Sequence, residues 1–207
     1  REIVCAPIVS LTSCLHYNLD NKEIVLWGTG GILHWYELGA NKSETNSLIL
    51  LEYGNIQGIV TSFSAAQHII VFGDKSVAVL QLRPNESNFD LVAFHQRLDD
   101  LVLDCRILQV DNHLSQELTL VIGYSHNFYD LVRINVPHQS WTVVERFQCE
   151  ERVVLFALTL SVPEGGNSED IVVASGDLFG KLTIWKGDKL KTLPQINHPR
   201  LVRINAP

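Results

Sequence analysis

Residues 171–185 read IVVASGDLFGKLTIW: an apolar run, a Gly, a short polar turn and a second run in which apolar side chains alternate. Alternation with a period of two is typical of a β-strand with one buried face. A short turn containing Gly between two such runs predicts a β-hairpin. The segment therefore predicts two antiparallel strands joined by a tight turn.

The same pattern recurs three more times along the chain. The first apolar runs of these copies end at Gly28, Gly73 and Gly123, so that with Gly176 the repeated glycines are 45, 50 and 53 residues apart. A further strand-like run precedes each hairpin, and another follows it in the first three copies. Four β-runs in about 50 residues are typical of a propeller blade, which is one four-stranded sheet of a radial array.

The repeat predicts an all-β protein, namely a β-propeller segment with about four four-stranded blades of a larger ring. The expected blades cover about residues 8–55, 56–99, 100–150 and 151–207. The chain contains no Met and begins with Arg1. We therefore expect a fragment or a processed chain, in agreement with a partial ring.

The repeated glycines have a predicted structural role. Gly28, Gly73, Gly123 and Gly176 each end a strand where the chain turns, and we expect a backbone conformation there that a side chain would make unfavourable. Trp35 and Trp185 lie in the alternating strands, and we expect them to pack between blades.

Composition excludes several classes of protein. A hydrophobic fraction of 46% excludes general disorder, and a net charge of -7 argues against phosphate binding by this segment alone. No apolar run approaches the roughly 20 residues of a membrane helix. The four Cys residues include no C-x-x-C pair, so reduced and mostly buried thiols in a cytoplasmic protein are expected.

Catalytic and cofactor motifs fail when their spacing is checked. The segment 28–31 begins like a dinucleotide loop but lacks its third Gly, and 176–181 is one residue short of a phosphate loop. No H-E-x-x-H or G-x-S-x-G motif occurs. We expect no catalytic residue, no metal and no cofactor in this chain. A propeller whose catalytic site is assembled from distant residues is the third functional hypothesis, ranked below the two binding roles described at the end of this subsection.

Two acidic pairs recur one repeat apart. Asp99-Asp100 and Glu150-Glu151 both lie between the last strand of one blade and the first strand of the next. Propeller geometry places these linkers on one face, near the turns that follow the repeated glycines. The four carboxylates are candidate contacts for a basic partner, and a solvated rim is the alternative.

Residues 175–185 (SGDLFGKLTIW) resemble the WD-repeat consensus, although Lys186 stands where that consensus has Asp and no opening Gly-His pair is recognisable. The order of the segments 101–106, 120–127 and 171–180 is similar to the amino-terminal propeller of the WD-repeat protein 6 family. The likeness is best over about residues 58–186. This family includes regulators of the tRNA wobble-position 2′-O-methyltransferase.

The resemblance implies a non-catalytic cytoplasmic scaffold that binds an FtsJ-like methyltransferase and helps to present tRNA for ribose methylation at position 34. The tRNA would be contacted through the complex, and the methyl donor would belong to the partner enzyme. The alternative is a WD-repeat adaptor in signalling or ubiquitin ligation that has no role with RNA.

Overall fold

The structure is a computed structural model, and it describes residues 13–19, 22–38, 45–51, 54–61, 68–83, 86, 88–96, 98, 100–111, 117–148, 155–162, 168–177, 181–186 and 196–197. In this part of the chain the only helical element is a 3-10 turn at Ser168–Asp170, and no helix is long and apolar enough to cross a membrane.

The described residues form β-strands joined by short turns and linkers. The strands, numbered in chain order, are β1 Ser13–Leu19, β2 Lys22–Thr29, β3 Ile32–Leu38, β4 Asn46–Ile49, β5 Gly58–Val60, β6 His68–Gly73, β7 Ser76–Leu82, β8 Phe89–His95, β9 Val102–Asp111, β10 Glu117–Tyr124, β11 Phe128–Asn135, β12 Ser140–Gln148, β13 Leu155–Ser161, β14 Val172–Asp177, β15 Lys181–Lys186 and β16 Ile196–Asn197.

The strands pair in groups of four. Each group is an antiparallel sheet whose strand order follows the chain, β1 to β4 in the first sheet and β13 to β16 in the fourth. The predicted all-β class and the four-stranded repeat are therefore confirmed. The four sheets fall within the four predicted ranges, whereas the exact limits of those ranges stay a prediction.

The sheets stack through alternate faces of their strands. Leu26 and Trp35 of the first sheet pack against the second sheet, and Trp35 meets Phe89 edge to face with ring centroids 5.5 Å apart. Ile70 of the second sheet enters the core shared with the third, and Val121 of the third enters the core shared with the fourth. The predicted packing role is confirmed for Trp35; the side chain of Trp185 lies outside the described residues.

One hydrogen bond recurs at each of the three junctions between sheets. The carbonyl oxygens of Gly30, Asp74 and Ser125, each the first residue of a turn between the two middle strands, accept from the backbone N–H groups of Ile56, Val102 and Leu155. All three N–O distances are 2.7 Å. Because each donor belongs to the next sheet or to the linker before it, we call these bonds the junction bonds.

The reason proposed for the repeated glycines is wrong. Positive φ angles occur in the turns, at Gly30 (57°), Asp74 (47°) and Asn127 (61°). Gly28, Gly73, Gly123 and Gly176 lie instead inside strands, at the last residue of β6 and at the next-to-last residue of β2, β10 and β14. Strand backbone accepts any side chain, so the local conformation does not require Gly at these four positions.

Close packing explains two of these glycines. A Cβ on Gly73 would overlap the carbonyl oxygen of Asn55, and a Cβ on Gly123 would overlap Cδ2 of Leu158 in the fourth sheet. A Cβ on Gly176 would have no neighbouring atom within 4 Å. Gly73 therefore lies where one backbone segment passes directly over another, whereas a side chain at position 123 would require the end of Leu158 to move.

Gly123 and Gly176 also share a position opposite a β-bulge. The first strand of each of these two sheets has one extra residue there, Leu103 in β9 and Phe156 in β13. The two extra residues are 53 positions apart, as are the two glycines. A bulge bends a strand and increases its twist, so the repeat includes an irregularity that the apolar pattern does not reveal.

These contacts predict opposite effects of two Gly-to-Ala substitutions. Gly73→Ala should lower the free energy of unfolding by about 2 kcal/mol, because the backbone oxygen of Asn55 cannot move as freely as a side-chain end. Gly176→Ala should raise it by about 0.5 kcal/mol, because Ala loses less conformational entropy on folding. Urea unfolding of both variants checks this, and an equal loss of stability in the two would contradict the packing explanation.

Candidate functional site

The turns between middle strands and the linkers between sheets lie together at one end of the sheets. We call this surface, formed by residues 30–31, 54–57, 74–75, 96, 98, 100–101 and 125–127, the turn face. Linkers and turns are tied by the junction bonds and by others, such as Leu98 N donating to Lys75 O at 3.0 Å. The carboxylate of Asp74 also accepts from Asn55 N at 3.2 Å and from Gln57 Nε2 at 3.3 Å. The turn face is therefore internally braced.

Asp100 points into this network. Its residue exposure is only 8%, and its two carboxylate oxygens accept four hydrogen bonds. Oδ1 accepts from Leu101 N at 2.8 Å and from Ser125 Oγ at 2.8 Å. Oδ2 accepts from His126 N at 2.9 Å and contacts His126 Nδ1 at 2.7 Å. Asp100 thus fastens the linker before the third sheet to the turn between β10 and β11.

The ionised carboxylate is the form that this network stabilises. Burial acts to raise the pKa of Asp100, but hydrogen bonds from His126, Ser125 and the backbone outweigh burial and lower that pKa below its ordinary value of 3.8. An ionised carboxylate only accepts hydrogen bonds, so Nδ1 of His126 is the donor. In the neutral ring, Nε2 is then left as an acceptor.

Of the four carboxylates in the two predicted acidic pairs, the structure describes only Asp100. Asp99, Glu150 and Glu151 lie outside the described residues. Asp100 is inside the protein, and all four of its hydrogen bonds are internal. A docking role for the pairs stays a prediction, and it now depends on the other three carboxylates.

The side chains that the turn face presents to solvent are different ones. Leu101 is 43% exposed, and the side chain of His126 is 53% exposed. Lys75 and Gln57 are exposed on the same face. Sequence reasoning missed Leu101 because period-two alternation assigns inward and outward positions in a strand but not in a linker.

Asp104 is a second inward carboxylate, and it joins the third sheet to the fourth. Oδ1 accepts from Cys105 N at 2.9 Å, and Oδ2 accepts from Leu160 N of β13 at 2.8 Å. Longer contacts to Oδ2 come from Arg106 Nη2 at 3.2 Å and Thr159 Oγ1 at 3.3 Å. The available signal was an acidic residue inside the apolar run 101–108, which requires internal partners if it is buried.

Asp130 forms the third buried cluster. Arg146 donates to it through Nε at 2.7 Å and through Nη2 at 2.8 Å, and its guanidinium lies 4.8 Å from the ring centre of Phe128. Burial raises the pKa of Tyr124, and the nearby Asp130 charge and the hydrogen bond to Asp130 raise it further. Tyr124 therefore stays protonated and donates to Asp130. The two hydrogen bonds from Arg146 of β12 to Asp130 of β11 fix these strands against each other.

Ser125, His126 and Asp100 include the residue types of a nucleophilic triad, but their arrangement differs from one. In a triad the serine and the carboxylate bind opposite nitrogens of the imidazole. Here Ser125 Oγ lies 3.3 Å from Nδ1, the nitrogen that Asp100 already holds, and the serine is 4% exposed. The geometry therefore fits a structural brace. Among the described residues no cluster of three or more His, Cys, Asp or Glu side chains could hold a metal ion.

Cys105 is free and fully buried, and burial raises the pKa of its thiol. The predicted buried thiol is confirmed at this position. Cys5 and Cys149 lie outside the described residues, as does the side chain of Cys14.

The Asp100 network predicts a pH-dependent loss of stability. Asp100→Asn should lower the free energy of unfolding by about 2 kcal/mol at pH 7, because the amide cannot accept all of the same hydrogen bonds. Since the folded-state pKa is the lower one, this contribution is present above 3.8 and is lost as the pH falls through the folded value.

Urea unfolding of the wild type and Asp100→Asn at pH 7 and pH 3 measures this difference, with Glu145→Gln as an exposed carboxylate control. We expect the difference in free energy of unfolding between wild type and Asp100→Asn to be smaller at pH 3 than at pH 7. A difference that is the same at both values would contradict the assigned role of the carboxylate.

Comparisons with known proteins identify the fold. No family model and no curated protein matches the chain. Among the solved structures, 403 chains match, so the fold is common and does not by itself select a function. One is the crystal structure of Sqt1 from Saccharomyces cerevisiae, a WD40 protein, with a TM-score of 0.63, 12% identity and coverage of 91% of this chain. The chain spans 48% of the Sqt1 chain, and its fold is propeller-like.

Proposed function

We propose that the chain is a non-catalytic WD-repeat scaffold that binds an FtsJ-like tRNA 2′-O-methyltransferase and supports ribose methylation at wobble position 34 of tRNA. One line of support concerns the scaffold role, and another concerns the identity of the partner. The propeller-like fold and the braced turn face support a binding scaffold. The resemblance of residues 58–186 to the WD-repeat protein 6 family supports the choice of partner.

The braced turn face is the observation that carries the scaffold role. Its linkers donate backbone N–H groups to turn carbonyls, while side chains such as Lys75, Leu101 and His126 remain exposed. A surface whose backbone is already ordered loses little conformational entropy when a partner binds. It can therefore orient an enzyme and its substrate without reacting with either.

The division of chemical roles follows from this proposal. The methyltransferase supplies S-adenosylmethionine and the catalytic groups, and the scaffold supplies a docking surface. Because the chain is net acidic, with 23 Asp and Glu against 16 Lys and Arg, tRNA is held through the complex and not by this chain alone. The proposed location is the cytoplasm.

Affinity capture of the tagged chain from cells, followed by mass spectrometry, tests the partner. An FtsJ-like methyltransferase should be enriched over a capture with an unrelated tagged protein. Consistent enrichment of a ubiquitin-ligase or signalling subunit, without the methyltransferase, would support the adaptor alternative instead.

Depletion of the protein should abolish 2′-O-methylation at tRNA position 34 and leave methylation at other positions unchanged. Mass spectrometry of tRNA digests measures both in one sample, so the unaffected positions serve as the internal control. Normal methylation at position 34 after depletion would contradict the proposed function.

A further inference from the structure

The second strand of each sheet contains two neighbouring apolar residues whose side chains point to opposite faces of that sheet. The pairs are Val25 and Leu26, Ile69 and Ile70, Leu120 and Val121, and Val173 and Ala174. Six of these residues are fully buried in the cores that consecutive sheets share. The other two, Val25 in the first sheet and Ala174 in the fourth, are only partly buried. Each end of the row of sheets thus has a free position that is buried elsewhere.

The free face of the fourth sheet, which we call the fourth-sheet face, repeats the pattern of the covered faces. Three pairs across the second and third strands point toward the next sheet and are buried, namely Leu26 and Trp35, Ile70 and Val79, and Val121 and Leu131. The corresponding pair on the fourth-sheet face, Ala174 and Ile184, is partly exposed. The other described side chains of this face are small or apolar and uncharged: Ala157, Thr159, Ser161 and Val172.

The free face of the first sheet, which we call the first-sheet face, is of the other type. Val25 lies on this face, whereas its equivalents in the other three sheets are buried against the preceding sheet. Ile32, the first residue of β3, lies on it too and pairs with Ile49, which is 73% exposed. The equivalent first residue of β11, Phe128, is buried in the core between the second and third sheets. The first-sheet face therefore offers open apolar positions that accept a preceding sheet elsewhere in the chain.

The three junctions within the chain indicate what fits these two faces. Each junction packs a face of the fourth-sheet type on a face of the first-sheet type, so the two free faces match each other. One chain carries them on different sheets, and a second copy supplies the matching face at each end. The chain spans 48% of the Sqt1 chain, so two copies contribute about the same length of propeller as one Sqt1 chain. Head-to-tail contacts form a closed assembly when both ends are paired.

We propose that two copies of this chain associate head to tail, with the fourth-sheet face of each packed on the first-sheet face of the other. The contact continues the series of sheet-on-sheet junctions and buries the apolar positions that the single chain leaves open, which drives the association. The inference does not rest on the proposed function. The turn face lies at the ends of the strands, so it stays accessible in the pair.

Two substitutions each place a charge on one face. Ala174→Glu changes the fourth-sheet face, and Ile32→Glu changes the first-sheet face. Both residues are partly exposed in the single chain, so a carboxylate there can remain solvated until the faces meet. Val144→Glu is the matched control, because Val144 is 49% exposed on the outermost strand of the third sheet, which is covered on both faces.

Light scattering after size-exclusion chromatography measures the mass over a series of concentrations, once melting temperatures have shown that the variants fold. The wild type and Val144→Glu should reach the mass of two chains. Ala174→Glu and Ile32→Glu should each raise the Kd of association about a hundredfold or more, because both junctions of the pair would bury an unpaired charge. A wild type that stays at the mass of one chain up to its solubility limit, or that forms longer open assemblies, would overturn the proposal.

A mixture of the two variants distinguishes head-to-tail contacts from contacts between like faces. In a mixed pair one junction joins two unchanged faces, so the mixture should associate more tightly than either variant alone. If two fourth-sheet faces met instead, Ile32→Glu would associate like the wild type, and that result would sink the head-to-tail arrangement.

Hydrogen exchange of the wild type at low and high concentration gives a readout that needs no variant. Segments 32–38 and 172–177 should exchange more slowly at the concentration at which pairs form. Segment 77–82 of the second sheet, which is covered on both faces, should exchange equally in both samples. Association that leaves 32–38 and 172–177 unprotected would assign the contact to another surface and refute the proposal.

Discussion

The hydrogen bond from each sheet to the turn of the preceding sheet is the constraint on which the structure depends. A four-stranded sheet pairs the backbone groups of its two middle strands, but it leaves apolar side chains on both faces that a single sheet cannot bury. The 2.7 Å junction bonds at Ile56, Val102 and Leu155 set where each sheet starts relative to the last. Because strand side chains alternate, this starting point decides which residues enter each shared core.

The buried carboxylates reinforce the same junctions. Asp100 joins the linker before the third sheet to a turn within that sheet, and Asp104 accepts from Leu160 N across the next junction. Placing a charge inside is unfavourable unless donors surround it. Here each carboxylate has several, so the sheets are held by directional contacts as well as by apolar packing. These internal bonds also hold the backbone beneath the exposed side chains of the turn face.

Much of the fold could be predicted from sequence because its signals are local. The hairpin of β14 and β15 followed from alternation and a short turn within residues 171–185, and its recurrence indicated four similar sheets. The reason for the glycines could not be predicted in this way. Gly73 lies directly against the backbone of Asn55 in the linker before its sheet, and Gly123 lies against the side chain of Leu158 in the next sheet. Contacts of this kind appear only when the sheets are stacked.

The candidate site was harder to predict for the same reason. Apart from immediate chain neighbours, the partners of Asp100 are 25 and 26 residues away along the chain, and those of Asp104 are 55 and 56 residues away. An acidic pair in a linker indicates a solvated charge unless its donors are known. Sequence reasoning therefore indicated the turn face as a candidate surface, which stays a prediction, but it could not distinguish the inward Asp100 from the outward Leu101.

The fourth sheet buries one face against the third sheet and leaves residues on its other face exposed. On β13, Leu158 and Leu160 pack against the third sheet, whereas Ala157 and Thr159, which alternate with them, are exposed. Gly176 has open space where its counterpart Gly123 meets Leu158. This is the face on which the larger ring predicted from the repeat would continue.

Native-state hydrogen exchange of the backbone amides of Ile56, Val102 and Leu155 tests the role of the junction bonds most directly. If these bonds hold the sheets as one cooperative unit, the three amides exchange as slowly as the central ladder amides of β6 and β10. Exchange at the rate of exposed turn amides, with the ladder amides still protected, would show that the sheets fold without the junction bonds and would contradict the account.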